Sequence, residues 1–157
     1  MVKETIESLL AKHEFLEGMD PAHLAFVAGC GSNVRYDAGE YIYREGEPAD
    51  QFLLIRHGKV SLEIFVPGRG PLVIETIAEG DVLGWSWLFP PYRRQFDARA
   101  LEVTRAVSLD GACLRAKCNE DHDLGYDIVM RFSQVVIQRL QATRLRLTDM
   151  YGRANWT

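Results

Sequence analysis

Tyr36-Asp-Ala-Gly-Glu-Tyr-Ile-Tyr-Arg-Glu-Gly-Glu-Pro-Ala-Asp-Gln-Phe-Leu-Leu-Ile-Arg-His-Gly-Lys-Val60 alternates short β-forming runs with glycine-centred breaks. Asp37-Ala38-Gly39-Glu40 is a turn between strands expected at Val34 to Tyr36 and Tyr41 to Tyr43. Arg44 to Asp50 is a longer turn. His57-Gly58 then closes a hairpin between Gln51 to Arg56 and an alternating strand from Lys59 to Val66. Gly39, Gly46 and Gly58 fall where turns call for positive φ, and the Asp50 carboxylate can bond turn amides. His57 reads as a turn residue, since no second histidine or acid stands at chelating spacing.

Working outward, Pro67-Gly68-Arg69-Gly70-Pro71 turns into a strand from Leu72 to Ala78, and Ala100 to Leu109 supplies at least one more. Many short strands with evenly spaced glycine turns predict a mainly β fold with flanking helices, an antiparallel jelly-roll β-barrel over residues 33–112. Two N-terminal helices precede it. Ile6, Leu9 and Leu10 recur at helical spacing between Lys3 and His13, and Asp20-Pro21 opens a second helix that Gly29 and Gly31 end. The two are expected to pack as a small lid. On the C-terminal side, Ile128, Val129, Phe132, Val135, Val136 and Leu140 form the apolar stripe of a long helix from Leu124 to Met150. Such a helix spans roughly 40 Å, longer than a small barrel covers, so part of the stripe is expected to meet a second copy in a homodimer. The tail from Tyr151 to Thr157 is too short for another domain.

The chain has 157 residues, 47% of them hydrophobic and 25% charged, as expected of a single soluble globular domain. Its net charge of -4 disfavours direct DNA binding. Three cysteines, Cys30, Cys113 and Cys118, are odd in number and form no two-residue-spaced pair, so reduced thiols are expected. Acids occupy the N-terminus where a signal peptide would be apolar, and no window approaches the ~20 apolar residues of a membrane span. A cytoplasmic protein without membrane association follows as the expectation.

Function points to Gly80 to Ala100, where two tryptophans, two phenylalanines, a tyrosine, two prolines and three arginines crowd between expected strands. Glycine admits backbone close to a ligand, arginine forks onto phosphate or carboxylate, and aromatic faces offer stacking. Read blandly, the same stretch is a long barrel connection whose aromatics close over the core.

The order of two helices, barrel, aromatic cassette and long helix resembles the cyclic-nucleotide-binding domain family, in particular the effector domain of the catabolite activator type. The run 36–60 is similar to that family's barrel signature, with Gly39, Glu45, Gly46, Asp50 and Gly58 where the family has them. The resemblance implies a cassette opening on a Phe-Gly-Glu-like triplet, whose carboxylate takes the ribose 2′-hydroxyl. It implies an arginine at the far end, followed by small residues near the cyclic phosphate. Here the triplet is Leu83-Gly84-Trp85, so indole replaces the carboxylate. Arg94 stands ten residues after Gly84, at the phosphate-binding spacing, but is followed by Gln95, Phe96 and Asp97. The implied ligand-binding residues are Gly84, Trp85, Ser86, Trp87, Arg94 and Phe96. Asp81 could replace the missing carboxylate, and Asp97 could pair with Arg94.

Three functional classes stay open on these residues. The leading one is a non-catalytic regulatory sensor of an anionic or nucleotide-like ligand, with weak or absent cyclic AMP binding and with the long helix as transmitter. A second is an interaction scaffold that has kept the fold and lost the pocket. The third, a small cupin-like barrel enzyme, would need clustered ligands, whereas His13, His23, His57 and His122 are scattered. Glu45 and Asp50 could form an acid pair, though a turn role is simpler. No G-x-S-x-G elbow or P-loop occurs, so no enzyme, metal or cofactor is expected. The family's transcription factors add a helix-turn-helix domain after the long helix. With the sequence closing at Thr157, direct DNA contact is not expected.

Overall fold

A computed structural model describes residues 4–154. Helix α1 (Ile6–Lys12), a single 3-10 turn (Glu14–Leu16) and α2 (Pro21–Ala28) lead into eight strands, followed by α3 (Gly111–Glu120) and α4 (His122–Ala154). The strands are β1 (Gly31–Tyr36), β2 (Tyr41–Tyr43), β3 (Gln51–His57), β4 (Lys59–Val66), β5 (Gly70–Ala78), β6 (Val82–Leu83), β7 (Asp97–Ala100) and β8 (Thr104–Asp110). Lys3 of the expected first helix and Asn155 to Thr157 of the expected tail lie outside the described residues.

The sheets do not close into a barrel. Two four-stranded antiparallel sheets, ordered β1-β8-β3-β6 and β2-β7-β4-β5, face each other as a sandwich. The expected barrel fails for a local reason. β6 carries only two residues before the chain leaves the ladder at Gly84, and β2 carries three, so the strands at these margins are too short to hydrogen-bond one sheet to the other.

β3 explains how the layers cohere. Its run Phe52-Leu53-Leu54-Ile55 does not alternate because both faces are buried. Leu53 and Ile55 meet Val60, Leu62, Leu83 and Ala106 between the sheets. Phe52 and Leu54 meet Leu10, Leu16, Trp87, Leu109, Leu114 and Phe132 beneath the helices. Each fully buried large side chain contributes roughly 1.5–3 kcal/mol of burial free energy, so the double-faced strand ties both cores together. The β3–β4 hairpin turns at Gly58, whose φ is +110 and where any Cβ would collide with Thr104. Asp50 acts in its turn through its carbonyl, which accepts from the Gly111 amide at 2.8 Å.

The helices depart from expectation in three ways. α3 lies between the last strand and the long helix, capped by Asp110, whose carboxylate accepts from the Cys113 amide at 2.7 Å. Cys30 and Cys113 are not free thiols: they form a disulfide that ties the end of α2 to the first turn of α3, and Cys118 alone is free. Spacing could not reveal a pair separated by 83 residues. Finally, the apolar residues of α4 belong to two faces. Leu124, Ile128 and Phe132 are buried in the domain's own core, whereas Tyr126, Met130, Ile137, Leu140 and Leu147 are exposed. The exposed set steps by four and three residues, with Ser133 and Arg144 at the intervening positions, which is heptad spacing.

Candidate functional site

The segment from Gly84 to Phe96 leaves β6, makes two successive turns and returns as β7. Leu88 donates to the Trp85 carbonyl at 3.2 Å and Tyr92 to the Phe89 carbonyl at 3.0 Å. The far end is pinned to the β2–β3 turn, where Ala49 donates to Tyr92, Arg94 to Glu47 and Gly46 to Arg94. Proline at positions 90 and 91 denies this stretch the amides a strand or helix would need.

These turns draw Arg94 inward. Its side chain is buried, lies 4.1 Å from the centroid of the Tyr43 ring and donates through Nη2 to the Gln51 carbonyl. Its Nε and Nη1 have no partner among the described residues. Gly84 makes the fit possible: φ there is +90, and a Cβ would collide with Nη1 of Arg94. Burial lowers the Arg94 pKa from its usual value, against the opposing pull of Tyr43, Asp50 and Glu47. Burial likewise raises the Tyr43 pKa, so the phenol beneath the guanidinium is neutral at ordinary pH. A charged side chain withdrawn from water with two donating nitrogens unspent has the chemistry to receive an anion.

A cavity of about 240 Å³ lies between the cassette and α4. Leu62, Ile74, Val136 and Leu140 make its apolar lining, and Trp85 and Phe96 its aromatic walls. Glu75, Arg139 and Thr143 supply its polar groups. Gly84 and Arg94 do not line it themselves, but their chain neighbours Trp85 and Phe96 do. The guanidinium and the aromatic walls are therefore carried by the same two segments.

Residues 33–121 match the cyclic nucleotide-binding domain family. The chain belongs to the cyclic nucleotide-binding domain family. It is 25% identical over 145 residues to the CRP-like cAMP-activated global transcriptional regulator of Mycobacterium tuberculosis, covering 92% of this chain and 63% of that protein's length. Its fold is similar to a cyclic nucleotide-binding domain from Methylobacillus flagellatus KT (TM-score 0.78, 19% identity, covering 92% of this chain and 82% of that one). It is also similar to the Thermus thermophilus catabolite activator protein (TM-score 0.69, 19% identity, covering 88% and 63%).

Within this cyclic nucleotide-binding domain, the residues singled out from sequence separate into different environments. Trp85 is half-buried on the cavity wall, edge-to-face with Phe89 at 6.4 Å. Ser86 is buried. The amides of Trp85 and Ser86 donate to no protein acceptor among the described residues. Trp87 is fully buried, stacked on Phe52 at 4.8 Å and edge-on to Phe132, so its faces are taken by the core. Phe96 lines the same cavity. Asp97 does not pair with Arg94. Its carboxylate accepts from the Glu45 amide at 2.7 Å and lies 3.4 Å from Arg44. Asp81 caps its own turn, accepting from the Ala78 amide at 3.0 Å, and does not line the cavity beside Trp85. Arg99 is paired with Glu63 at 2.9 Å and Arg93 is exposed, which leaves Arg94 as the buried, unsaturated cation of the cassette.

Two cavity residues escaped the sequence reading, Glu75 on β5 and Arg139 on α4. Their charges stand 3.8 Å apart. Neither carries a local motif, and only the folded chain brings them together. Among the described residues no helix is long and apolar enough to cross a membrane.

Proposed function

We propose that this domain is a non-catalytic regulatory sensor that binds an anionic, nucleotide-like ligand between the cassette and α4. The observation that carries the reading is Arg94, a buried guanidinium with Nε and Nη1 unpartnered against a glycine that leaves room for it. An empty scaffold would gain stability by replacing such a residue, because each buried unsatisfied donor costs about 1–3 kcal/mol. In this reading Arg94 and the amides after Gly84 hold the charge, Ser86 supports the loop, and the ligand's ring lies between Trp85 and Phe96. Trp87 contributes indirectly by anchoring the cassette to the core.

Cyclic AMP binds weakly or not at all, since the indole of Trp85 cannot accept the ribose hydroxyl that a carboxylate would receive. Losing a charge-assisted hydrogen bond weakens binding by about 2 kcal/mol, roughly 30-fold. α4 transmits the bound state, because Val136, Arg139, Leu140 and Thr143 line the cavity while the adjoining face, which shares Leu140, is exposed. That exposed stripe supports a homodimer along α4.

The test is a fluorescence titration with a cyclic nucleotide panel on wild type, Arg94→Ala and Arg69→Ala. Arg69 lies exposed in the β4–β5 turn, so both variants lose one positive charge. Binding should quench Trp85, and Arg94→Ala should abolish the quench while Arg69→Ala leaves it. Equal loss in the two variants would place the ligand elsewhere.

A further inference from the structure

The cavity beside Trp85 has one polar edge, and its composition is specific. Glu75 and Arg139 stand at 3.8 Å, close enough for charge attraction but beyond hydrogen-bond distance. Arg139 spends Nη2 on the Val82 carbonyl, which fixes the guanidinium against β6. Neither its remaining nitrogens nor the Glu75 carboxylate has another hydrogen-bond partner among the described residues. The pair also lines a second cavity of about 450 Å³ on its other side, so it forms a wall between two spaces. Both groups therefore have room to adjust toward a ligand.

Apart from Thr143, the remaining lining is apolar or aromatic, which suits the faces of a flat ring and leaves the ring's edge to the charged pair. At about 240 Å³ the cavity is smaller than the roughly 300 Å³ at which pockets for whole ligands usually begin. It suits a base, with the anionic part of the ligand lying toward Arg94.

Resting on the ligand-sensing reading above, we infer that Glu75 and Arg139 determine base specificity and select guanine. Guanine presents O6 and N7 as adjacent acceptors, the pattern a guanidinium meets with two N–H groups. Next to them it presents N1–H and N2–H₂, two donors that a carboxylate accepts side by side. Adenine presents one donor group, N6–H₂, flanked by the ring acceptors N7 and N1, so it offers neither two adjacent acceptors to the guanidinium nor two adjacent donors to the carboxylate. It leaves part of the Glu75 and Arg139 capacity unsatisfied once water is excluded. The order of the two charges around the cavity therefore favours a lactam edge next to an amino group.

The experiment is calorimetric titration with three probes: the 3′,5′-cyclic monophosphates of guanosine, inosine and adenosine. The guanosine compound should bind at least ~10-fold tighter than the adenosine one, the size of one good two-bond contact. The inosine compound, which lacks the 2-amino group, should fall between them. Glu75→Gln is isosteric at a half-exposed site, so folding is retained, and it should bring guanosine to within about threefold of adenosine. Arg139→Lys, which keeps the charge but loses the fork, should do the same. Guanosine and adenosine compounds binding equally, with both lost in Arg94→Ala, would overturn base selection and leave the sensor reading intact. A guanosine preference untouched by Glu75→Gln and Arg139→Lys would overturn the assignment of these residues. Binding by none of the three would remove the nucleotide-sensing reading, and this inference with it.

Discussion

Replacing Gly84 with alanine places a methyl group against Nη1 of Arg94 on a backbone whose φ is +90. Two penalties combine. An L-residue held at positive φ costs about 1–2 kcal/mol, and forcing an extra carbon into a packed site costs about 1–3 kcal/mol. The expected destabilisation is therefore about 2–5 kcal/mol, enough to consume a large part of a typical domain's stability. Gly39→Ala is the internal reference, because φ there is +87 and a Cβ would meet nothing within 4 Å. It should show the backbone penalty alone, about 1–2 kcal/mol. Urea unfolding of both variants, each also in an Arg94→Met background, isolates the contact. With the guanidinium gone, Gly84→Ala should fall to the cost of Gly39→Ala. A Gly84→Ala variant no less stable than Gly39→Ala, or one unaffected by the Arg94 background, would refute the packing of arginine on glycine that underlies the site.

Arg94→Met alone should leave the domain at least as stable as wild type, since it removes a buried charge with two unspent nitrogens; a fall of more than about 1 kcal/mol in the same assay would contradict this. Sedimentation should show a dimer at micromolar concentration, and Ile137→Glu or Leu140→Glu should give a folded monomer because both side chains are exposed. Phe132→Glu should unfold the chain instead, because that ring is in the domain's own core. His13 is held neutral by burial, with Nδ1 accepting from Phe15 and Nε2 bonded to the Ile55 carbonyl at 3.0 Å. Its folded-state pKa lies below the unfolded value of about 6.5, so stability should fall as pH drops from about 6.5 toward that lower value. The slope is at most about 1.4 kcal/mol per pH unit for this group and should flatten in His13→Gln. Reducing Cys30–Cys113 opens a loop of 83 residues, for which chain entropy gives about 4.5 kcal/mol, read as a lower unfolding midpoint in dithiol.

The strands were legible because turn glycines and β-branched runs are local signals, and β2 and β4 have the bounds their sequence suggests. Gly84 and Arg94 were legible as a pair only through the family resemblance, which supplied the ten-residue spacing between them. Partition of the aromatics was not: Trp85 and Trp87 are two residues apart, yet one faces the cavity and the other stacks on Phe52 from β3. That choice depends on a turn geometry no periodicity encodes. α3 was missed because Gly111-Ala-Cys-Leu-Arg-Ala-Lys-Cys-Asn-Glu120 buries only Gly111 and Leu114 and shows no stripe. Its one local signal is the Asp110 cap. The two faces of α4 merged in the sequence because residues such as Val135 and Val136 differ by about 100° around the axis but not in composition. Glu75 with Arg139 and Cys30 with Cys113 arise only when distant elements meet.

The central claim, a ligand whose charge sits on Arg94, is tested most directly by a co-crystal structure with guanosine 3′,5′-cyclic monophosphate. Phosphate oxygens are expected about 2.7–2.9 Å from Nε and Nη1 of Arg94, with the base between Trp85 and Phe96 and its edge on Glu75 and Arg139. A saturated crystal with the nucleotide bound away from Arg94, or with both nitrogens still unpartnered, would contradict it.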